Sequence, residues 1–367
     1  FYDKKVSIAA AVITIIGYIG FTSSQFLAGA KLASATFPEL DLTTCLIGMG
    51  VVAIIYTSIG GIKAVIYTDT IQWIILMIGL FFIGVPLSYY KLGGYDEIVK
   101  YLPAEFLTFT NITVTQILNW AITIIPIWFV GMTLYQRIFS CKNEKEAKKA
   151  WFVAGLLEFP IMAFMGVLLG MFGRVALMKG MFPLYSGEGF DITSFDSELG
   201  LPMLLTHIFP PGLTGLMIAA YLSAVLSTAD SCLMAASGSF VSDFYKKVFG
   251  IEDSKHIRLS QMATLLIGVL AIVLATNMEN VLTLMLKSYS VMVSGLFIPV
   301  MAILFLKKNS SKGAFASLII GGSTTLILEF DILGISTQLN PNICGIGFSA
   351  IAYFLFSYFD KKIKNFA

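Results

Sequence analysis

The stretch Ala219-Ala-Tyr-Leu-Ser-Ala-Val-Leu-Ser-Thr-Ala-Asp-Ser-Cys-Leu233 places small and hydroxylated side chains in the middle of a long apolar run. That run extends from about 212 to 241, which is long enough to cross a bilayer as a helix. A helix is nearly forced in lipid, because unpaired backbone groups cannot face hydrocarbon. The stretch therefore predicts a membrane helix with an unusually polar face.

The composition of the whole chain agrees with a membrane protein. Of the 367 residues, 57% are hydrophobic and 13% are charged, and the mean hydropathy is +0.84. Soluble proteins average roughly 45–50% and 25%, so a water-soluble globule is excluded. A net charge of +2 gives no support for nucleic-acid binding. No disulfide framework or zinc pattern can be read from the four cysteines, Cys45, Cys141, Cys232 and Cys344.

Ten stretches are long and apolar enough to span a bilayer, and none shows the period-2 alternation of a strand. They are 6–30, 43–61, 64–90, 113–136, 150–173, 212–241, 259–277, 281–306, 313–330 and 341–359. No soluble domain interrupts them. The sequence thus predicts an all-α membrane protein of ten transmembrane helices, with residues 1–367 forming a single domain.

The basic residues predict the orientation of the helices. If the ten spans alternate in direction, one set of ends carries eighteen of the 24 Lys and Arg residues. By the positive-inside rule those ends are cytoplasmic, so Phe1 and Ala367 both lie in the cytoplasm. We expect a multi-pass protein of the cell membrane, in contact with the lipid bilayer.

Four ionisable residues remain inside the predicted spans: Asp69, Glu158, Asp230 and Lys287. Each costs roughly 2.5–3.5 kcal/mol at the bilayer centre, so each needs a partner, water or an ion. Asp69 and Glu158 lie near the predicted cytoplasmic ends, where a carboxylate can also reach the interface or cap a helix. Asp230 and Lys287 lie deeper, and one hypothesis is that they form a buried ion pair.

Ala224, Ser227, Thr228 and Ser231 share one helical face, because they are spaced i, i+3, i+4 and i+7. Hydroxyl and carbonyl oxygens suit a small alkali cation, whose hydration shell they can replace. The alternative is a tight helix-packing stripe with its hydroxyls bonded back to carbonyls of the same helix. Spacing alone leaves both interpretations open.

The segment Gly60-Gly-Ile-Lys-Ala-Val-Ile-Tyr-Thr-Asp-Thr-Ile-Gln72 resembles the signature Gly-Gly-x-Lys-Ala-Val-x-x-Thr-Asp-x-x-Gln of the sodium/solute symporters. That family includes sodium-coupled sugar, proline and sialic acid transporters. Further matching motifs follow in the right order, and the resemblance covers essentially the whole chain. They are Gln136-Arg137 with Cys141-Lys142, Ser227-Thr-Ala-Asp-Ser231, Asp243-Phe-Tyr245, and Pro299 before Lys307-Lys308.

The resemblance implies the leucine-transporter-like fold, which contains two inverted repeats of five helices with extra helices at the ends. The ten spans would correspond to core helices 3 to 10 and two peripheral helices. Core helices 1 and 2 are then expected to be missing from residues 1–367. In this fold a broken helix 1 supplies carbonyl ligands to the sodium site, so the chain would hold half of that site.

The resemblance also assigns residues to ion sites. It implies that Ala224 contributes its carbonyl, and Ser227 and Thr228 their hydroxyls, to the principal sodium site. Asp69 and Ser231 fall where some members build a second sodium site.

Asp230 replaces a hydroxyl that those members have at its position in the second site. This carboxylate could strengthen a cation site, carry a proton or pair with Lys287. Alternatively, Lys287 lines the solute site and meets an anionic group.

For the solute, Trp128 aligns with an aromatic residue near the substrate of the sugar transporters, although a lone membrane Trp is often an interface anchor. Ile127 stands where those transporters have a gating tyrosine, which weakens the case for sugar.

We therefore expect sodium-coupled symport of a small organic solute by alternating access, with sodium co-transported, no chemistry on the solute and no obligatory protein partner. Two rival hypotheses are a transporter-like sensory module and an intramembrane enzyme using Asp69 and Asp230 as an acid pair. The first lacks a downstream soluble domain in this sequence. The second lacks any further signature of catalysis.

Overall fold

The computed structural model describes residues 2–108, 110–185, 194–250, 256–306, 308–334, 339–360 and 364–365. Within these ranges, nine continuous helical segments are long and apolar enough to cross a membrane. They are Lys4–Thr36, Leu42–Lys91, Val114–Phe139, Glu144–Met178, Pro211–Phe249, Ile257–Ala275, Val281–Phe305, Ser311–Glu329 and Pro341–Tyr358.

The described part of the chain contains fifteen α-helices, of which all but α4 and α9 belong to these segments. They are α1 (Lys4–Thr36), α2 (Leu42–Leu76), α3 (Val85–Lys91), α4 (Gly94–Tyr101), α5 (Val114–Val130), α6 (Met132–Phe139), α7 (Glu144–Leu157), α8 (Phe164–Met178), α9 (Gly200–His207), α10 (Pro211–Gly238), α11 (Lys246–Phe249), α12 (His256–Ala275), α13 (Val281–Phe305), α14 (Ser311–Glu329) and α15 (Pro341–Tyr358).

Short irregular elements join the α-helices. Three π-helical segments, Met77–Gly84, Glu158–Ala163 and Ser239–Tyr245, continue α2, α7 and α10 without a break. Short 3₁₀ turns in the described residues include Ala104–Leu107, Pro183–Tyr185 and Ser197–Leu199. Strands β1 (Lys308–Asn309) and β2 (Lys364–Asn365) pair antiparallel, with Lys308 opposite Asn365.

Short polar side chains fix where several helices begin. In each case the side chain accepts a hydrogen bond from a backbone N–H in the first turn, which satisfies a donor that the helix leaves unpaired. These caps are Asp3, Asp41, Thr113, Asn143, Asn280, Ser310 and Asn340. Helices α1 and α7 therefore start before the apolar stretches that predict them.

The ten predicted spans appear as nine continuous segments because 43–61 and 64–90 both lie in the 50-residue segment Leu42–Lys91. At 1.5 Å per residue, a straight helix of that length would measure about 75 Å, against about 30 Å for a hydrocarbon core. Its backbone breaks at Gly61, where φ is 60° and ψ is −174°. Such a conformation is essentially restricted to glycine.

The two halves of this segment run in opposite directions along α10. In the first half, Met49 lies near Val225, and the Tyr56 hydroxyl donates to Asp230. The residue numbers of this half and of α10 therefore increase in the same direction. In the second half, Gly79 lies near Ala220.

Gly84 lies near Met217, so the residue numbers of the second half increase in the direction in which those of α10 decrease. The chain thus turns back at Gly61, and the predicted ten crossings agree with the structure.

Gly61→Ala is expected to lower the stability of the protein by about 1–3 kcal/mol, since alanine is strained in this conformation. A Cβ there has open space around it, so backbone strain is the only cost. Thermal unfolding of the purified full-length protein in detergent measures this. Gly166→Ala, at a helical position that also has open space, is the control and should not destabilise. Equal losses for both would contradict the assignment of strain to Gly61.

Helix α1 occupies the centre of the bundle. In its most apolar window 61% of the residues are buried, against 12% for Glu144–Met178. It packs on α2, α10, α12 and α13. Several helices therefore pack around α1.

One end of the bundle, which we call the Lys31 end, is joined by a charge network around the buried Lys31 side chain. The Lys31 ammonium lies 2.6 Å from carboxylate oxygens of both Asp196 and Glu198. Glu198 also accepts hydrogen bonds from the backbone N–H groups of Val281 and Leu282, at the start of α13. This network holds Asp196 and Glu198, which directly precede α9, against α1 and α13.

Candidate functional site

A cavity of about 850 Å³ lies between seven helices and contains the predicted ion-site motif in its wall. Its walls come from α1, the second half of α2, α5, α6, α7 with the π-helical segment that follows, α10 and α13. Two breaks in regular helix border it: Gly131 between α5 and α6, and the segment Glu158–Ala163. The cavity therefore lies where irregular backbone allows several polar side chains to meet.

Ala224, Ser227 and Thr228 lie together in this wall. The hydroxyls of Ser227 and Thr228 each donate to the Ala224 carbonyl oxygen at 3.1 Å. Each hydroxyl keeps lone pairs that can accept a cation while its proton is used in this way. The result is a cluster of three neutral oxygens at the cavity surface.

This cluster suits a small alkali cation by its chemistry. Neutral hydroxyl and carbonyl oxygens can replace part of the hydration shell of such an ion. The same bonds back to a carbonyl are also what a packing stripe would show. What distinguishes the two is position, since all three residues face the cavity.

The residues predicted for a second cation site converge on a guanidinium group. Arg137 Nη2 donates to Asp69 Oδ2 and to Ser231 Oγ, both at 2.5 Å. Its Nη1 donates to the Thr133 carbonyl oxygen at 3.1 Å. The second oxygen of Asp69 is buried and has no hydrogen-bond partner among the described residues. The positively charged Arg137 side chain of the protein itself therefore lies between Asp69 and Ser231.

Asp230 is fully buried beside this group but faces another helix. Its Oδ2 accepts a hydrogen bond of 2.7 Å from the Tyr56 hydroxyl, and its Oδ1 lies 3.4 Å from Ser231 Oγ. Tyr56 also lies 3.3 Å from the Leu226 carbonyl oxygen. The carboxylate therefore joins α10 to the first half of α2.

Lys287 does not pair with Asp230, so this hypothesis from the sequence is wrong for the described structure. The Lys287 ammonium donates to the Glu329 carbonyl oxygen at 2.8 Å and lies 5.1 Å from the Phe330 ring centroid. It is absent from the cavity wall, whereas Tyr289 is part of it. Two residues apart on a helix are about 200° apart in direction, so Lys287 points to the opposite side of α13.

We therefore expect Asp230→Asn and Lys287→Met to act independently. Residues without shared partners usually give additive effects, within about 0.3–0.5 kcal/mol. A double-variant cycle in thermal unfolding of the purified protein measures the coupling. A coupling well above that range would contradict the separate contacts of these two charges.

Trp128 and Glu158, the two remaining candidates from the sequence, both line the cavity. Trp128 is 49% exposed and its ring meets the Trp151 ring edge-on at 6.3 Å between centroids. Ile127 beside it is buried. Glu158, which the sequence could equally have placed at the membrane interface, is exposed in the cavity wall.

Sequence reasoning missed two residues of the site. Arg137 was noted only among the basic residues at span ends and in the Gln136-Arg137 motif, with no role in the site, although an unpaired Asp69 in a span required a cation. Tyr56 carried no sequence signal, because a tyrosine in an apolar span is ordinary. Only the packing of α2 on α10 shows that it meets Asp230.

A model of the sodium:solute symporter family matches residues 1–321 of this chain. The chain belongs to this family. Its members and the relatives below are transporters rather than enzymes. Family membership implies that sodium is used.

Two curated relatives cover most of the chain. The sodium/glucose cotransporter 1 of Ovis aries is 26% identical over 97% of the chain and 60% of its own length. The high-affinity proline transporter PutP of Bacillus subtilis (strain 168) is 28% identical over 96% of the chain and 73% of its own length. The chain thus spans about 60% of the length of the sugar cotransporter.

A solved structure shows the fold. It is a substrate-bound outward-open state of a Na⁺-coupled sialic acid symporter, which matches with a TM-score of 0.78 at 21% identity. The match covers 100% of this chain and 76% of that one. The fold is therefore the leucine-transporter-like helical bundle that the sequence predicts.

Proposed function

We propose that the protein carries a small organic solute across the cell membrane by sodium-coupled symport, through alternating access. The observation that carries this proposal is the cluster of Ala224, Ser227 and Thr228 oxygens in the cavity wall. It gives sodium a neutral oxygen site next to a space large enough for a solute. Family membership and the transport functions named for the relatives support the same conclusion.

Sodium binding and solute binding are coupled if both favour the same conformation. Sodium at Ser227 and Thr228 would stabilise the state in which the cavity accepts solute, and the coupling is the difference in affinity between the two states. Each sodium ion that falls through 100 mV releases about 2.3 kcal/mol. One ion can therefore support a considerable solute gradient.

We also propose that the spans are core helices 3 to 10 and two peripheral helices of the fold. On this assignment, core helix 1 of the fold provides the remaining carbonyl ligands of the sodium site, as the resemblance implies. Ser231, Asp69 and Asp230 then form a second polar site in which the Arg137 guanidinium already supplies a positive charge.

The proposed orientation places residues 1 and 367 in the cytoplasm. It rests on the excess of Lys and Arg at the Lys4 end of α1 and at the other ends that share its side. The Lys31 end, with its two carboxylates, then faces outward.

Uptake of a radiolabelled solute panel into proteoliposomes with the full-length protein tests the function. The panel contains sugars, amino acids, carboxylates and vitamins. Accumulation of one solute under an inward sodium gradient, lost when potassium replaces sodium, is the expected result. Equal uptake in sodium and potassium for every transported solute would contradict the proposal.

A further inference from the structure

Helix α5 carries a proline beside the cavity. Pro126 is buried inside this helix, and its neighbours Ile124, Ile127 and Trp128 line the cavity. Proline has no N–H, so the carbonyl oxygen four residues earlier, that of Ile122, loses its helical donor. The proline ring also displaces this carbonyl, which bends the helix. A free carbonyl inside a membrane protein is costly unless a neighbouring helix donates to it.

A side chain from α15 donates to this carbonyl. Asn342 Nδ2 lies 3.2 Å from the Ile122 carbonyl oxygen and 3.1 Å from Thr123 Oγ1. The Thr123 hydroxyl uses its own proton on the Asn119 carbonyl oxygen, so it accepts from Asn342. Since the Ile122 carbonyl can only accept, the nitrogen of the Asn342 amide must face it. Both amide protons are therefore directed at α5.

The start of α15 holds the Asn342 side chain in place. The backbone N–H of Asn342 donates to Asn340 Oδ1 at 2.9 Å. The Thr325 hydroxyl of α14 donates to the Pro341 carbonyl oxygen at 3.4 Å. A Cβ at Gly345, one turn later, would overlap atoms of α13 and α14, so the helices approach closely there. Helix α15 thus presents the amide from a closely packed base.

The contact between α15 and α5 is complete within the described residues. Asn342 is fully buried, so neither further helices nor a bound sodium ion can reach its amide in this conformation. Its Oδ1 is buried and has no hydrogen-bond partner in the described part of the chain, so the amide is oriented by its donors. Asn342 is absent from the cavity wall. Any effect that it has on the cavity must therefore act through α5.

We propose that Asn342 is a positioning residue for the solute site. Its amide replaces the donor that Pro126 removes, and it thereby fixes the bend of α5 that directs Trp128 into the cavity wall. Helix α15, which the resemblance counts as peripheral, thus helps to shape the cavity. The inference rests on the proposed function in that the cavity holds the solute. A merely structural link between α15 and α5 would act equally whichever residue occupies position 126.

A double-variant cycle tests the replacement of the donor. Asn342→Leu keeps a similar size without a donor, so it should lower the Tm of the purified full-length protein. Pro126→Ala restores a backbone N–H for the Ile122 carbonyl, so the loss from Asn342→Leu should be much smaller in that background. Equal losses in both backgrounds would overturn the proposal, and so would a failure of Asn342→Leu to fold in both.

Ser349→Ala is the matched control for this cycle. Ser349 also lies on α15, and its hydroxyl forms a buried hydrogen bond of 2.7 Å with the Ser317 hydroxyl of α14. Its loss in Tm should be the same with and without Pro126→Ala. A dependence on Pro126→Ala as large as that of Asn342→Leu would show that the coupling does not come from the Asn342 amide.

Fluorine NMR separates positioning from a merely structural link. In protein labelled with 5-fluorotryptophan, the Trp128 resonance is identified by its loss in Trp128→Phe. Asn342→Leu should shift this resonance when Pro126 is present and cause no further shift in the Pro126→Ala background, whereas Ser349→Ala should shift it in neither. Asn342→Ser, whose side chain is too short to reach Ile122, replaces Asn342→Leu if the latter alone does not fold. An unmoved Trp128 resonance would overturn the positioning role, whatever the loss in Tm.

Uptake kinetics separate this inference from the proposed function. For a solute of the panel that accumulates, Asn342→Leu should raise KM several-fold. The half-saturating sodium concentration at saturating solute should stay unchanged, because Ser227 and Thr228 lie on α10. An unchanged KM would overturn the role of Asn342 in the solute site. Sodium-independent uptake, together with the coupled effects of Asn342 and Pro126, would overturn sodium symport and leave the positioning of α5 standing.

Discussion

Thr228→Ala is expected to raise the sodium concentration that half-saturates uptake by more than tenfold. The variant removes one of three oxygens that cluster at the cavity surface, and a tenfold loss corresponds to about 1.4 kcal/mol. Ser227→Ala should act in the same direction, since its hydroxyl bonds to the same Ala224 carbonyl. Sodium activation curves in proteoliposomes measure both effects.

Thr214→Ala is the matched control for these variants. Thr214 lies on the same helix, and its hydroxyl donates to the Phe209 carbonyl oxygen outside the cavity wall. Its replacement should leave sodium activation unchanged. If Ser227→Ala and Thr228→Ala, each expressed at normal levels, also leave sodium activation unchanged, the assignment of the sodium site is wrong.

Arg137→Gln is expected to abolish transport and to lower thermal stability strongly. The substitution leaves Asp69 as an uncompensated charge in the cavity wall and removes the donor to Ser231. The pair is partly buried, and breaking one side of such a pair leaves an uncompensated charge, which costs more than removing both partners. Arg137→Gln combined with Asp69→Asn should therefore recover part of the lost stability, with a coupling of about 0.5–3 kcal/mol.

Lys148→Gln provides the comparison for this cycle. Lys148 and Glu144 also form an ion pair, but their side chains are 76% and 80% exposed. Exposed pairs contribute about 0–1 kcal/mol, so this substitution should have little effect on the melting temperature. Additive losses for Arg137→Gln and Asp69→Asn would show that the Arg137 contact does not stabilise Asp69.

The membrane spans could be predicted from sequence because lipid leaves the backbone few alternatives. Each of the ten predicted stretches lies in a long helix or runs past its end by at most two residues, and caps such as Asp3 and Asn143 extend helices beyond the predicted starts. The break at Gly61 was expected from two adjacent apolar stretches. Its geometry, with a positive φ, required the structure.

The candidate site could be predicted only in part. A shared motif and helical spacing placed Ala224, Ser227 and Thr228 together, and the structure brings all three to one wall. The partners of Asp230 and Lys287 could not be predicted, because α10 and α13 are apolar on most sides. The sequence does not show which side of such a helix meets which neighbour.

Labelled sodium flux tests the central claim of sodium symport most directly. Proteoliposomes with the full-length protein receive ²²Na⁺ outside, with and without the solute that the uptake panel identifies. We expect the solute to accelerate sodium entry in the wild type, and Thr228→Ala to remove this acceleration at the same sodium concentration. Sodium entry that is indifferent to the solute in the wild type would contradict it.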